Sequence, residues 1–491
     1  MKRIIIPTII IILFATGVSA KVRIPSVIGD NMVLQRNTQA LLWGEASAGS
    51  TVTVTTSWDG SKYKTQANRD GKWSARVCTI EAGGPYSISI SDGEPVVIRN
   101  VMLGEVWICS GQSNMEMPVC GFMYQPVEGS VEAITGAMQH PDIRMFALPQ
   151  LSSETAVEDN PSVWKTSSPE SVSSFSAVAY FFGRTLNDML GVPVGLINTS
   201  WGGSAIEAWM TVGAIDEIEG IDHELAKSGQ YDNSIPQRLY NGMIAPICNF
   251  TAKGFIWYQG ESNRRNWFDY MELQSAMVKL WRESWGNERM PFYFTQLAPY
   301  RYEGDDLRSL PMIIEAQYQA MEQIPYSGIA ATTDLGNPVC IHPPRKREVG
   351  ERLAYLTLAN DYSVKGLPAP APTYKSMERD GNKLVLSFNN LSERHSWNDP
   401  DSFVGYGASD YIRPGGFEIA GADRIFHPAR ANFKWWENKI EVSSSEVSEP
   451  VAVRYAFRNY MPKADVRTTM GQPLVPFRTD DWAVEDIGEI K

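Results

Sequence analysis

Cysteine and histidine are scarce in this sequence, five of each in 491 residues. The cysteines (Cys78, Cys109, Cys120, Cys248 and Cys340) are scattered, odd in number and form no C-x-x-C pair. Such a set does not make a disulfide framework, although a single bridge is compatible with an oxidising compartment. The histidines and cysteines do not cluster at the spacing of zinc ligands, so no metal is expected. Cations are also in short supply, with 44 Lys and Arg against 56 Asp and Glu and a formal net charge of −12. That argues against the basic face of a nucleic-acid binder. It does not exclude a small anionic substrate, which needs only one or two local cations. Beyond the N-terminus no segment is long and apolar enough to span a membrane, and there is no internal repeat or low-complexity tract.

The N-terminus differs from the rest. Lys2 and Arg3 precede an apolar run from Ile4 to Phe14, and Val18-Ser19-Ala20 supplies small residues. This pattern predicts a signal peptide over residues 1–20, cleaved after Ala20, and an exported protein, periplasmic or secreted. An N-terminal anchor helix is the alternative. The remaining chain is too long for one ordinary core. Residues 21–103 read as an N-terminal β-domain. Thr51-Val52-Thr53-Val54-Thr55 alternates with period two, and Asp59-Gly60, Asp70-Gly71 and Asp92-Gly93 are hairpin signals. In residues 104–364 six short apolar runs alternate with helical patterns, which predicts an α/β unit with a parallel sheet flanked by helices. One helix is expected from Ser176 to Leu190, with Phe182, Leu186, Met189 and Leu190 as its apolar stripe and Gly191 as its stop. Another is expected from about Arg345 to Asn360. The Pro-rich stretch from Gly366 to Pro372 reads as a linker into a C-terminal β-domain, residues 365–491.

In open α/β sheets, ligands bind beyond the carboxyl ends of the strands, so the residues after each run carry the chemistry. After the first comes Ser110-Gly111-Gln112-Ser113-Asn114-Met115. A serine on a strand-to-helix turn can expose its hydroxyl to a substrate, or can simply cap the helix. The spacing is not G-x-S-x-G, so the α/β-hydrolase elbow is not matched. After the third run comes Trp201-Gly202-Gly203-Ser204, where Gly203 N–H is a candidate oxyanion donor or part of a plain turn. After the fourth comes Gln259-Gly260-Glu261-Ser262-Asn263. The Gln259 amide is the preferred side-chain oxyanion donor and Asn263 the reserve. After the last run come Asp334 and then Ile341-His342-Pro343. A serine needs a base, and of the five histidines only His342 follows a sheet strand and opens a helix. Asp334 is the candidate to orient it, or else a turn cap. Arg264 and Arg265 could pair with a sugar carboxylate, or be a solvated loop pair. Trp201, Trp209, Trp257, Tyr258 and Trp267 offer flat faces to sugars or serve packing.

Together these segments resemble the sialate O-acetylesterase family within the SGNH-hydrolase superfamily. The resemblance is carried by Gly111-Gln112-Ser113-Asn114-Met115-Glu116-Met117-Pro118, Trp201-Gly202-Gly203-Ser204 with Glu207-Ala208-Trp209, Leu239-Tyr240-Asn241-Gly242-Met243, Trp257 to Asn263, and Ile341-His342-Pro343. It implies a serine esterase without metal or organic cofactor, acting on an O-acetylated carbohydrate: O-acetylated sialic acid first, acetylated plant polysaccharide as the alternative. It places the nucleophile on Ser113, the base on His342, and oxyanion donors on Ser113 N–H, Gly203 and Gln259. A noncatalytic carbohydrate-binding protein is the rival from a different class. Two departures stand out. The superfamily's usual acid lies three residues before the histidine, and that position is Val339. Its usual third-block Asn is replaced by Gln259. The acid is therefore Asp334, lies elsewhere, or is absent.

Overall fold

The computed structural model describes residues 22–391, 403–404, 414–434 and 437–484; the expected signal segment, residues 1–20, lies outside them. The apolar runs after residue 104 form a parallel sheet. Its strands are β1 (Pro95–Gly111), β2 (Ile143–Ala147), β3 (Val194–Ser200), β4 (Gly254–Tyr258), β5 (Phe292–Thr295) and β6 (Ser327–Ala330). Their order is β6-β5-β4-β1-β3-β2, and each neighbouring pair is parallel. Val106, Trp107, Ile108 and Cys109 of β1 are all fully buried. Burial on both faces explains why the strand reads as a continuous apolar run. From β1 the chain runs to β2, the outermost parallel strand on that side, returns to β3, and then crosses to β4 on the other side. That reversal leaves a crevice at the carboxyl end of β1.

Helices flank the sheet: α1 (Ser113–Glu116), α2 (Ala177–Leu190), α3 (Trp267–Ser284), α4 (Ser309–Gln323) and α5 (Lys346–Asp361). The Ser176 hydroxyl caps α2 by accepting the Ala179 N–H at 3.2 Å, and Gly191, at φ 63°, ends it. Phe182 and Leu186 of the expected stripe are buried, but Met189 is exposed. Val178 and Phe181 take its place, because α2 turns that side toward α5. A Cβ on Gly350 of α5 would stand 2.7 Å from both Phe182 N and Val178 O, so the two helices approach closely only with glycine there.

β1 joins two sheets. Its first half pairs antiparallel with Gly83–Ser91 of the N-terminal β-region. Its second half is the middle of the parallel sheet. Thr51–Thr56 and Lys62–Gln66 form the expected hairpin around Asp59-Gly60, with Gly60 at φ 69°. Buried apolar residues from Val22 to Ala369 make one contiguous cluster. After the Pro-rich stretch, two four-stranded antiparallel sheets pack around a second cluster that includes Leu386, Ile419, Ile440 and Tyr455. The mixed α/β class is as expected, a mostly parallel central sheet flanked by helices with antiparallel sheets following it.

Candidate active site

The site is assembled from loops that leave β1, β3, β4 and β6. β1 ends at Gly111, at φ 142°, where a Cβ would stand 2.1 Å from the Tyr258 carbonyl oxygen of β4. Only glycine fits this close crossing. Gln112 then donates its N–H to that oxygen at 3.0 Å. Its side-chain oxygen accepts the N–H groups of Gly260 at 3.1 Å and Ser262 at 3.3 Å. The first and fourth segments singled out from the sequence are thereby tied together, and Ser113 starts α1 between them.

The Ser113 hydroxyl lies 2.8 Å from His342 Nε2, although 229 positions separate the two residues in the chain. On the other side of the ring, His342 Nδ1 lies 2.6 Å from Gln125 Oε1. An amide oxygen only accepts, so Nδ1 carries the hydrogen and Nε2 is left bare to take the serine proton. The Phe122 ring meets the imidazole edge-on, 5.2 Å between centroids. Burial, with a smaller contribution from the Lys346 charge, holds the His342 pKa down to about 4. The ring is therefore a neutral base at ordinary pH.

The β3 loop closes on the serine. A Cβ on Gly202 would stand 3.3 Å from Ser113 Cβ. Gly202 N–H is held by the Glu116 carboxylate, and its carbonyl accepts Asn233 Nδ2 at 2.8 Å. Carbonyl and N–H point opposite ways across a trans peptide. The Gly203 N–H is thus turned away from Asn233, and like the Ser113 N–H it meets no acceptor among the described residues. Behind the dyad, Asn114 donates to Ile341 O at 3.1 Å and to Glu261. Its oxygen accepts from the fully buried Lys346. Burial lowers the Lys346 pKa to about 7 and raises that of Glu261. This buried network pins the residues adjoining Ser113 and His342 to each other.

A family model described as carbohydrate esterase, sialic acid-specific acetylesterase, matches residues 103–359, which contain all of these loops. The chain belongs to that family. It is a carboxylic ester hydrolase of the carbohydrate esterase type. It is 29% identical to human sialate O-acetylesterase over 405 residues, covering 74% of this chain and 76% of the human one. The orang-utan (Pongo abelii) sialate O-acetylesterase is 30% identical over 404 residues, with the same coverage. A solved carbohydrate acetylesterase from Xanthomonas citri superposes with a TM-score of 0.83 at 34% identity, covering 94% of this chain and 100% of that one.

Three of the roles expected from the esterase's sequence meet different partners in the structure. Asp334 does not orient His342. Both its oxygens take the Arg352 guanidinium, at 2.7 and 2.8 Å, and Arg467 adds a contact at 3.2 Å. Burial pushes the Asp334 pKa up, but these guanidiniums outweigh it and hold the carboxyl below its usual range. Gln259 is not free to serve an oxyanion. Its two N–H bonds go to Ser204 O at 3.0 Å and Asn263 Oδ1 at 2.7 Å, and its oxygen accepts from Tyr270 at 2.8 Å. Asn263, the reserve, faces Glu207, its Nδ2 lying 2.9 and 3.0 Å from the two carboxylate oxygens. Both amides brace the β3 and β4 loops. Arg264 is buried over the Tyr302 ring, 3.9 Å from its centroid, and both Arg264 and Arg265 pair with Glu303. Trp209 and Trp257 are core residues: Trp209 packs edge-to-face on Trp257, and Trp257 edge-to-face on Trp281.

Sequence reading missed Gln125, Glu116 and Lys346. Glu116 and Lys346 carry a readable signal, since each lies three or four residues from a singled-out Ser or His on the adjoining helix. Gln125 carries none.

Proposed function

We propose that this esterase removes acetyl groups from O-acetylated carbohydrates through an acyl-enzyme on Ser113. The observation that carries the reading is the 2.8 Å contact between Ser113 Oγ and His342 Nε2, with the imidazole tautomer set by Gln125. Ser113 Oγ attacks the acetyl carbonyl carbon while its proton passes to Nε2. The carbonyl oxygen gains the negative charge and is received by the N–H groups of Ser113 and Gly203. The tetrahedral adduct collapses as the imidazolium protonates the sugar oxygen, and the sugar leaves as an alcohol. Water then attacks the acetyl-serine, again losing a proton to Nε2. Acetate departs, and the proton returns to Ser113. Gln125 has no charge with which to stabilise the imidazolium. Its contribution is orientation and tautomer.

O-acetylated sialic acid is the first substrate in this reading, supported by what the mammalian relatives are called. A neutral acetylated glycan is the second. It is favoured by the pairing of Arg264 and Arg265 with Glu303, which withdraws the expected carboxylate receptor. Export is part of the proposal, supported by the pattern of residues 1–20. The test is acetate release from a panel of O-acetylated sialic acids and acetylated xylans by wild type, Ser113→Ala and His342→Ala. The reading expects turnover by wild type on at least one class and its loss in both variants. Wild-type turnover in either variant overturns that residue's role.

A further inference from the structure

The turn that holds the catalytic imidazole ends in an aromatic ring standing wholly in solvent. Gln125 N–H bonds back to Phe122 O at 2.9 Å, closing a four-residue turn from Phe122 to Gln125. Both ends of the turn grip His342, Phe122 by its ring edge and Gln125 by its amide oxygen. Its tip is Met123 and Tyr124, 79% and 97% exposed. Tyr124 has φ 61°. In the third position of such a turn, a positive φ is ordinarily met by glycine or asparagine. A bulky residue there is strained, and strain of this kind concentrates at functional sites. Tyr124 gains nothing from packing to offset the strain, since almost its entire surface faces water.

We propose that Tyr124 is a stacking platform for the pyranose ring of the sugar alcohol, beside the Ser113–His342 pair. This rests on the carbohydrate esterase reading above and adds to it the residue that receives the sugar. A tyrosine ring suits the task. It is flat and amphipathic, and with two side-chain torsions it loses little entropy on contact. A pyranose presents a face of C–H groups to stack on it and keeps its hydroxyls at the rim for water. The short, doubly anchored turn fixes the platform relative to the imidazole that protonates the departing sugar oxygen. Strain in the turn then has a function, since it turns the ring outward rather than onto the protein.

The test compares xylose tetraacetate and an O-acetylated sialic acid with glyceryl triacetate, an acetyl ester without a ring, in wild type, Tyr124→Ala, Tyr124→Phe and Tyr124→Gly. For the ring ester that wild type prefers, Tyr124→Ala should raise KM about five- to tenfold with little change in kcat. The preference for the ring ester over glyceryl triacetate should fall by the same factor, and Tyr124→Phe should restore it. Tyr124→Gly should lose the preference and melt no lower than wild type, since glycine accepts the left-handed conformation without strain. Equal effects on ring and ring-less esters, or no effect on either, would overturn the platform. Failure of wild type to release acetate from any sugar would instead overturn the carbohydrate reading on which it rests.

Discussion

Gln125 and His342 share a 2.6 Å hydrogen bond at the ring nitrogen where serine hydrolases ordinarily place a carboxylate. A neutral partner selects the tautomer as a carboxylate does but gives the imidazolium no counter-charge. Removing it in Gln125→Ala should lower kcat about ten- to hundredfold, the worth of one hydrogen bond to a group that becomes charged. Gln125→Glu should keep the orientation and supply the charge. An opposite charge favours the protonated ring, so the acid limb of the pH profile should move up by about one pH unit. Steady-state kinetics of the two variants across pH checks both.

The acid limb itself follows from the site. Burial, assisted by Lys346, holds His342 at about 4 against an ordinary 6.5. The ring is a base only when neutral, so kcat/KM should remain on its plateau well below pH 6 and fall only as pH approaches 4. Lys346→Met removes a neighbouring positive charge and should shift that fall upward in pH. A wild-type limb near 6.5 would contradict the buried, depressed imidazole.

Gly202 lies against Ser113, and a side chain there would crowd it. In Gly202→Ala the added carbon would meet Ser113 Cβ at 3.3 Å and the Glu116 carboxylate at 3.0 Å. Displacing the loop by a fraction of an ångström moves the Gly203 N–H from the place the proposed mechanism gives it beside the oxyanion. The expected loss is about a hundredfold in kcat, with a melting temperature near that of wild type.

Asp334 belongs to stability. Asp334→Ala leaves Arg352 buried without its partner and should cost about 3–5 kcal/mol of folding free energy, read by denaturant titration. The Asp334 carboxyl is held below the ordinary aspartate value of 3.8 by Arg352 and Arg467 despite burial. Its contribution is therefore fully present above that value and is lost as pH falls through the lower folded pKa. Chemical denaturation from pH 7 down to pH 3 should show the wild-type advantage over Asp334→Ala shrinking at the acid end.

Much of this site was readable because it sits where an α/β sheet places chemistry. Ser113, Gly203 and His342 follow strands that announce themselves as apolar runs, and the short motifs after those strands narrowed the choice further. What could not be read depends on partners remote in the chain. Asp334 follows a strand as a triad acid should, but Arg352, one face along the next helix, claims both its oxygens. Gln259 stands at the end of β4 as an oxyanion donor would, yet Ser204 and Asn263 take both N–H groups of its amide and Tyr270 donates to its oxygen. Gln125 lies in an irregular turn with no periodicity or motif, and only the fold brings it to the imidazole. Types and positions along one strand end are local information, whereas which polar group satisfies which is decided by packing.

The most direct measurement is the mass of the acyl-enzyme. A Gln125→Ala or wild-type sample mixed with an activated acetyl ester, quenched in acid during turnover and digested, should carry one acetyl group on the peptide containing Ser113, and Ser113→Ala should carry none. Acetate release at an undiminished rate with the acetyl group on another side chain would contradict the account.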